Sequence, residues 1–132
     1  MNQIQKVLIT LCALLVMTAC SSLSSGGGMS SNTNINNGVL TASNNMTLYV
    51  FTKDAVGSGK SVCNGMCATN WPPLLVEGSS NVSGPYTVIT RDDGKKQLAY
   101  KAMPLYFYIN DTKPGDKTGD GRADGAWRIV KM

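Results

Sequence analysis

Cys63 and Cys67 are the closest approach to a reactive pair in this chain. Their C-x-x-x-C spacing, with Gly65 easing the tight loop, suits a disulfide in a compartment that permits one. A redox pair is usually C-x-x-C at a helix start after a strand. Here the spacing is one residue longer and that context is missing. Two thiolates with Met66 as a third soft ligand form the alternative, a metal-handling site. A second candidate lies in the acidic stretch 111–124. Asp116, Thr118, Asp120, Gly121 and Asp124 resemble the opening of a calcium loop. The twelfth position, which needs a bidentate Glu, holds Trp127. Lys113, Lys117 and Arg122 offset the acids, so a solvated connection is the leading reading and calcium binding the alternative.

The chain has 132 residues and no His. Ser-His-Asp triads, Cys-His pairs, His-ligated zinc and imidazole acid–base work are therefore excluded. Asp92 and Asp93 are neighbours on a turn, poorly placed to flank a scissile bond. No catalytic residue and no cofactor is assigned, and the expectation is a protein that is not an enzyme. Charged residues make up 15%, and Gly is high at 14, which favours a strand- and turn-rich fold.

The N-terminus reads as an address and then an anchor. Val7 to Thr18 is an uncharged apolar run after Lys6, too short to cross about 30 Å of hydrocarbon as a helix. It ends in Met17-Thr18-Ala19-Cys20. Small residues before a Cys resemble the bacterial lipobox, with Met17 where Leu is usual. The resemblance implies cleavage before Cys20 and lipidation of its sulfur. Each buried CH₂ contributes roughly 0.8 kcal/mol, so several acyl chains hold such a protein to the membrane. Ser21, not Asp, follows the Cys, and by analogy with Gram-negative sorting this favours the outer membrane. Residues 20–37 are uncharged and rich in Ser, Gly and Asn, which predicts a flexible tether. Loss of residues 1–19 takes Lys+Arg from 12 to 11 against 8 Asp+Glu, a net charge of +3. Both signs interleave between Lys53 and Lys131, so no nucleic-acid partner is expected.

The folded part, residues 38–132, carries an internal repeat. Met46 to Asp54 and Met103 to Asp111 both read Met-x-Leu-Tyr-x-aromatic-x-x-Asp, offset by 57. Trp71 and Trp127 follow the two Asp residues by 17 and 16 positions, each leading into an apolar stretch. The expected repeats span about 38–76 and 94–131. On these residues the chain resembles a group of small bacterial secreted proteins and lipoproteins with a Y-x-[FWY]-x-x-D motif, a secreted repeat of unknown function. Tyr49-Val50-Phe51-Thr52-Lys53-Asp54 carries the motif. The Cys63-to-Leu74 segment, Arg91-Asp92-Asp93-Gly94, Pro104-Leu105-Tyr106 and Pro114-Gly115-Asp116 extend the match. The resemblance conveys no biochemical activity. One departure is Arg128 directly after the last Trp, where family members often carry His.

The motif blocks must sit on strands. Leu48 to Phe51 and Leu105 to Ile109 are aromatic and β-branched runs of strand length. A period of two puts Tyr49 and Phe51 on one face, Leu48 and Val50 on the other. Likewise Tyr106 and Tyr108 oppose Leu105, Phe107 and Ile109. Both faces are apolar, so both strands should be central and buried. Asp54 and Asp111 fall at the strand ends, where a carboxylate accepts backbone N–H groups and closes a turn. Pro85 to Tyr100, with Asp93-Gly94 at its centre, is a hairpin. Further strands are expected at Val39 to Ala42 and Trp127 to Lys131, and one helical turn around Cys63 to Asn70. The predicted architecture is a small all-β domain of two pseudo-symmetric repeats sharing one core, with Trp71 and Trp127 as matched plugs. The predicted function is a membrane-anchored binding or structural module of the bacterial cell envelope.

Overall fold

A computed structural model describes residues 32–78 and 81–132. Among these described residues seven short strands and two helical turns follow one another: β1 (Thr33–Asn36), β2 (Val39–Ala42), β3 (Tyr49–Phe51), α1 (Met66–Asn70), β4 (Tyr86–Thr90), β5 (Lys96–Tyr100), β6 (Met103–Pro104), α2 (Arg122–Gly125) and β7 (Trp127–Ile129). They form an all-β domain of three small antiparallel sheets, β1-β2, β3-β7 and β4-β5-β6.

The first hairpin corrects an expectation. The polar composition of Thr33–Asn36 predicts tether, and the segment is a strand. Asn37 and Gly38 both have positive φ, 48° and 74°, the conformation a two-residue hairpin turn needs. The pairing runs from Asn36↔Val39 to Thr33↔Ala42. Thr33 is buried and donates its hydroxyl to Tyr86 at 2.9 Å. The asparagines face solvent, where Asn36 donates to Asn45 at 2.8 Å. Backbone pairing and one buried threonine fix this strand without a buried apolar side chain, since Ile35 is exposed. The remainder of the tether, the signal peptide and Cys20 lie outside the described residues.

At the centre, four backbone segments lie side by side. Tyr49 pairs with Ile129 of β7 on one side and with Tyr106 on the other, and Tyr106 pairs in turn with Pro73. Tyr49 and Tyr106 exchange both backbone hydrogen bonds, at 2.8 and 2.9 Å. A pseudo-twofold axis passes between them. Each motif segment thus pairs with the Trp segment of the other repeat: Phe51↔Trp127 in one half, and the Ile109 N–H to the Asn70 carbonyl in the other.

The expected strand Leu105 to Ile109 is not a continuous ladder. Its N–H groups alternate between two neighbours, Tyr106 to Tyr49 and Phe107 to Pro72. Pro72 and Pro73 have no N–H to return, so the pairing reduces to single bridges. Ile109, expected on the buried face, is 54% exposed.

The core has two compartments, divided as the period of two requires. Leu40, Leu48, Leu74, Leu98, Leu105 and Val130 form a mainly aliphatic cluster that also holds Tyr86 and Tyr100, with Val50 and Phe107 against it. Tyr49, Trp71, Tyr106, Tyr108, Trp127 and Cys63 form an aromatic one, with Phe51 against it. Tyr49 and Tyr106 are fully buried.

Candidate functional site

The motif residues converge on the pseudo-twofold axis. Asp54 follows β3, and its backbone N–H returns to the Phe51 carbonyl. Its Oδ1 accepts the Val62 N–H at 2.8 Å, and its Oδ2 accepts the Tyr106 hydroxyl at 2.5 Å. Asp111 repeats the arrangement. Its N–H returns to Tyr108, its Oδ1 accepts the Thr118 N–H and hydroxyl at 3.0 and 2.6 Å, and its Oδ2 accepts the Tyr49 hydroxyl at 2.6 Å. Each carboxylate closes the loop after its own strand. Each also binds the tyrosine of the other repeat, a crossed pairing that the linear motif does not reveal.

Burial, and then the bond to the partner carboxylate, push both tyrosine hydroxyls well above their ordinary pKa of 10. They are neutral hydrogen-bond donors at physiological pH. Burial also raises the Asp54 carboxyl, against the opposing pull of Tyr106, the Val62 N–H and Arg91.

The Tyr106–Asp54 pair continues into a buried polar network. Ser61 Oγ lies 2.5 Å from the Tyr106 hydroxyl. Arg91, 3% exposed, donates from Nη1 to Ser61 at 3.0 Å and to Gln97 Oε1 at 2.7 Å. Its Nη2 donates to the Cys63 carbonyl at 2.5 Å and to Asn64 Oδ1 at 3.3 Å. Gln97 Nε2 completes the chain by donating to the Leu105 carbonyl at 2.7 Å. Among the described residues no buried side-chain nitrogen or oxygen lacks a partner. In the sequence Arg91 reads as a hairpin-turn residue, and in the structure it points inward. A cation at the end of a strand reads as a solvent-facing turn residue unless its burial is known.

Four rings form a continuous stack through the domain. Phe51 lies on Trp127 (4.3 Å between centroids), Trp127 on Trp71 (3.8 Å, planes 4° apart), and Trp71 on Tyr108 (4.1 Å). Tyr49 and Tyr106 meet Trp71 and Trp127 edge-on at 5.4 and 5.1 Å. The two tryptophans are matched plugs, as predicted, and they plug against each other. Gly119 makes the stack possible: a Cβ there would lie 2.7 Å from the Trp71 ring. Its N–H also donates to the Tyr49 hydroxyl at 3.2 Å.

Cys63 and Cys67 are joined as a disulfide, with Cα atoms 5.2 Å apart. It closes the loop that feeds α1 and then Trp71. Of the candidate calcium ligands, Asp116 and Asp120 bond within separate loops, and Asp124 is exposed in α2. Asp116 caps its own loop, accepting Lys113 Nζ at 2.7 Å and the Thr112 N–H at 2.9 Å. Lys113 first, and the loop N–H groups with it, hold its carboxyl down at about 2. Asp120 Oδ1 accepts the Ile129 N–H at 3.0 Å. Among the described residues, no group of three or more His, Cys, Asp or Glu side chains is placed to hold a metal ion.

On the flank of the stack lies an open cleft of about 380 Å³, lined by Asn70, Trp71, Tyr108, Asn110, Arg122 and Trp127 among others. Here α2 is not a regular helix. Ala123 and Asp124 are consecutive left-handed residues at φ 52° and 55°, and they turn the chain sharply at the cleft edge.

The molecule is an all-β duplicated domain whose motif side chains face its own interior. The chain belongs to the family described as a secreted repeat of unknown function, which residues 33–75 and 87–131 match separately. The two matches are the two repeats, and they begin at the first strands of the two hairpins, earlier than the expected starts at 38 and 94. No curated protein and no solved structure gives a significant match. Among the described residues no helix is long and apolar enough to cross a membrane. Membership of a secreted family fits an extracellular or envelope location.

Proposed function

We propose that this protein is a membrane-anchored lipoprotein of the bacterial cell envelope, fixed through lipidated Cys20 to the outer membrane, and that its domain is a non-enzymatic binding or structural module. The observation that carries this reading is the inward commitment of the motif. Tyr49, Tyr106, Asp54 and Asp111 are buried and bonded to one another, so the most reactive oxygens of the repeat are withheld from any external substrate. Such residues specify a rigid scaffold, and recognition falls to the loops it displays. The disulfide supports an oxidising location. It also leaves the metal-handling or redox alternative without free thiolates unless the bond is first reduced.

The test is membrane fractionation of the full chain beside Cys20→Ser, with acyl-chain labelling. The wild-type chain is expected to label and to sediment with outer membranes, and Cys20→Ser to do neither. Sedimentation of Cys20→Ser with membranes overturns the anchor. Thiol titration of native protein addresses the module reading: no free thiol is expected at Cys63 or Cys67. Two titratable thiols together with a stoichiometric soft metal overturn it.

A further inference from the structure

The geometry points to the cleft beside the aromatic stack as a binding site for a carboxylate-bearing sugar unit, with Arg122 holding the carboxylate. This rests on the reading of the domain as a binding module and names its ligand class.

Arg122 is exposed, and its position is set by two contacts. Its Nε donates to the Thr118 carbonyl at 3.2 Å, and its guanidinium carbon lies 5.5 Å from the Tyr108 ring centroid. Arg122 is in no direct ion pair among the described residues, although Asp120 and Asp124 flank it in the chain. The two terminal nitrogens of a guanidinium held by Nε remain as a fork, the geometry that a carboxylate matches with two parallel bonds. No lysine lines the cleft, and one positive charge matches one carboxylate better than a dianionic phosphate.

The rest of the lining asks for oxygen. Asn70 and Asn110 bring side-chain amides, each both donor and acceptor. Asn110 Nδ2 donates to the Tyr108 hydroxyl at 2.9 Å, which leaves that hydroxyl proton and the Asn110 carbonyl oxygen to face a ligand. Both faces of Trp71 are taken by Trp127 and Tyr108, so the tryptophan presents its edge. Aromatic edges carry the positive end of the ring quadrupole and can meet a ligand oxygen, whereas face-to-face stacking needs a free face. A stacking aromatic ligand is therefore poorly served. A peptide is too, because the Ile109 N–H and the Asn70 carbonyl at the cleft are already bonded to each other at 3.0 Å and offer no strand edge. Vicinal hydroxyls around a compact ring, with one carboxylate, satisfy the amides, the phenol and the guanidinium together.

The backbone at the cleft edge supplies a second observation. Ala123 and Asp124 hold left-handed conformations that L residues adopt at an energetic penalty. Strain of this kind gathers at functional sites. Here it reverses the chain between Arg122 and Trp127, putting the cation and the indole edge on the same cleft.

The experiment is a titration of the ¹⁵N-labelled full chain with glucuronate, glucose and acetate, read at the Trp71 and Trp127 indole N–H and the Asn70 and Asn110 side-chain amides. Glucuronate is expected to shift these signals saturably, with a dissociation constant of about 1 mM, as suits a single sugar unit. Glucose and acetate should each bind at least about tenfold more weakly, since each lacks half of the recognised groups. Arg122→Gln should weaken glucuronate at least about tenfold with its own spectrum otherwise native, and Arg122→Lys should recover part of the loss. Absence of saturable shifts at these four groups overturns the proposal. So does acetate binding as tightly as glucuronate, or an Arg122→Gln protein that binds like wild type. These failures strike the cleft alone. The module reading fails separately, on the thiol and metal result described above.

Discussion

The two repeats solve one problem in two ways. Each must bring a tryptophan back across the domain after a Tyr-x-aromatic-x-x-Asp strand. In the first repeat the return loop is covalently closed by Cys63–Cys67, and its aspartate sits in a buried network of Tyr106, Ser61, Arg91 and Gln97. In the second the loop has no disulfide. It is shaped by carboxylates that accept loop N–H groups, Asp111 from Thr118, Asp116 from Thr112 and Asp120 from Ile129. The pseudo-symmetry is close in the central strands and the ring stack, and absent in what supports them. A duplicated core can thus be kept while each copy's outer shell diverges. The disulfide staples one half, and the hydrogen-bonded half supplies the left-handed turn and most of the cleft lining, with Asn70 and Trp71 from the first half.

The comparison is most exposed at Arg91, which has no counterpart in the first hairpin. There the turn is only Asn37-Gly38, against the five residues Arg91 to Lys95 in the second. Arg91→Ala leaves Gln97 Oε1 and the Cys63 carbonyl without their buried donor. Leaving buried acceptors unpaired in this way costs about 1–3 kcal/mol for each. Urea unfolding should show a loss of that size, or failure to fold. A loss below about 1 kcal/mol would mean that water replaces the guanidinium and that the two halves are supported alike.

Next in size is the contrast between the two tyrosines. Tyr106→Phe strips Asp54 Oδ2 and Ser61 of their partner inside a network 2–3% exposed, and should cost about 2–3 kcal/mol. Tyr49→Phe leaves Asp111 with both Thr118 bonds, and should cost about 1–2 kcal/mol. Equal losses would erase the distinction between the halves. The pH dependence sharpens it. Both hydroxyls have folded pKa values raised above 10. Their stabilisation is therefore fully present below pH 10 and is lost as pH rises beyond it. The slope is about 1.4 kcal/mol per pH unit for each tyrosine, and each Phe variant should remove its own share. Asp54 acts at the acid end. Its folded pKa is raised above 3.8, so its contribution is largest below that pH and diminishes as pH rises through the folded value. An Asp54→Asn protein should lack that decline when unfolding is followed from pH 3 upward.

Much of this was legible in the chain, and the reasons are physical. The alternation in Leu48-Tyr49-Val50-Phe51 sorted side chains into the aliphatic and aromatic compartments, because strand geometry leaves no other division. Asp93-Gly94 marked a hairpin, and the C-x-x-x-C spacing marked a disulfide. β1 is hidden by the polar composition of its segment, although Asn37-Gly38 is as strong a turn signal as Asp93-Gly94. Arg91 and Gly119 could not be read at all. Their roles are set by residues distant in sequence, Cys63 and Gln97 for one and the Trp71 ring for the other. The crossed Tyr–Asp bonds were hidden for the same reason: a linear motif shows which residues recur, not which copy each one touches.

The disulfide should have a smaller effect than the buried Arg91 network. Closing a loop of five residues removes little entropy from the unfolded chain, about 2 kcal/mol. A Cys63→Ala/Cys67→Ala protein should therefore still fold at 25 °C, with Trp71 still stacked on Trp127. Near-ultraviolet circular dichroism reads that stack directly. Its loss in the double variant, with the strands intact, would show that the staple positions Trp71 and that the first half depends on it more than loop entropy implies.

The smallest expected effect concerns turns that precede the motif strands. In the first repeat the left-handed position is Asn45, φ 64°, and Asn44 Oδ1 accepts the Met46 N–H. In the second, the turn between β5 and β6 is Lys101-Ala102, at φ 47° and 64°, with neither a glycine nor an asparagine. Left-handed backbone is penalised by roughly 1–2 kcal/mol for an ordinary L residue, and Asn tolerates it by local hydrogen bonding. Ala102→Asn copies the first repeat's solution into the second and adds little unfolded-state entropy, unlike Gly. The variant should be more stable by about 0.5–1 kcal/mol, a rise in melting temperature of a few degrees for a domain of this size. An unchanged or lowered melting temperature would mean that the second turn is held by its surroundings, such as the Gly57 N–H bonded to the Ala102 carbonyl at 3.2 Å, and not by its own conformational preference.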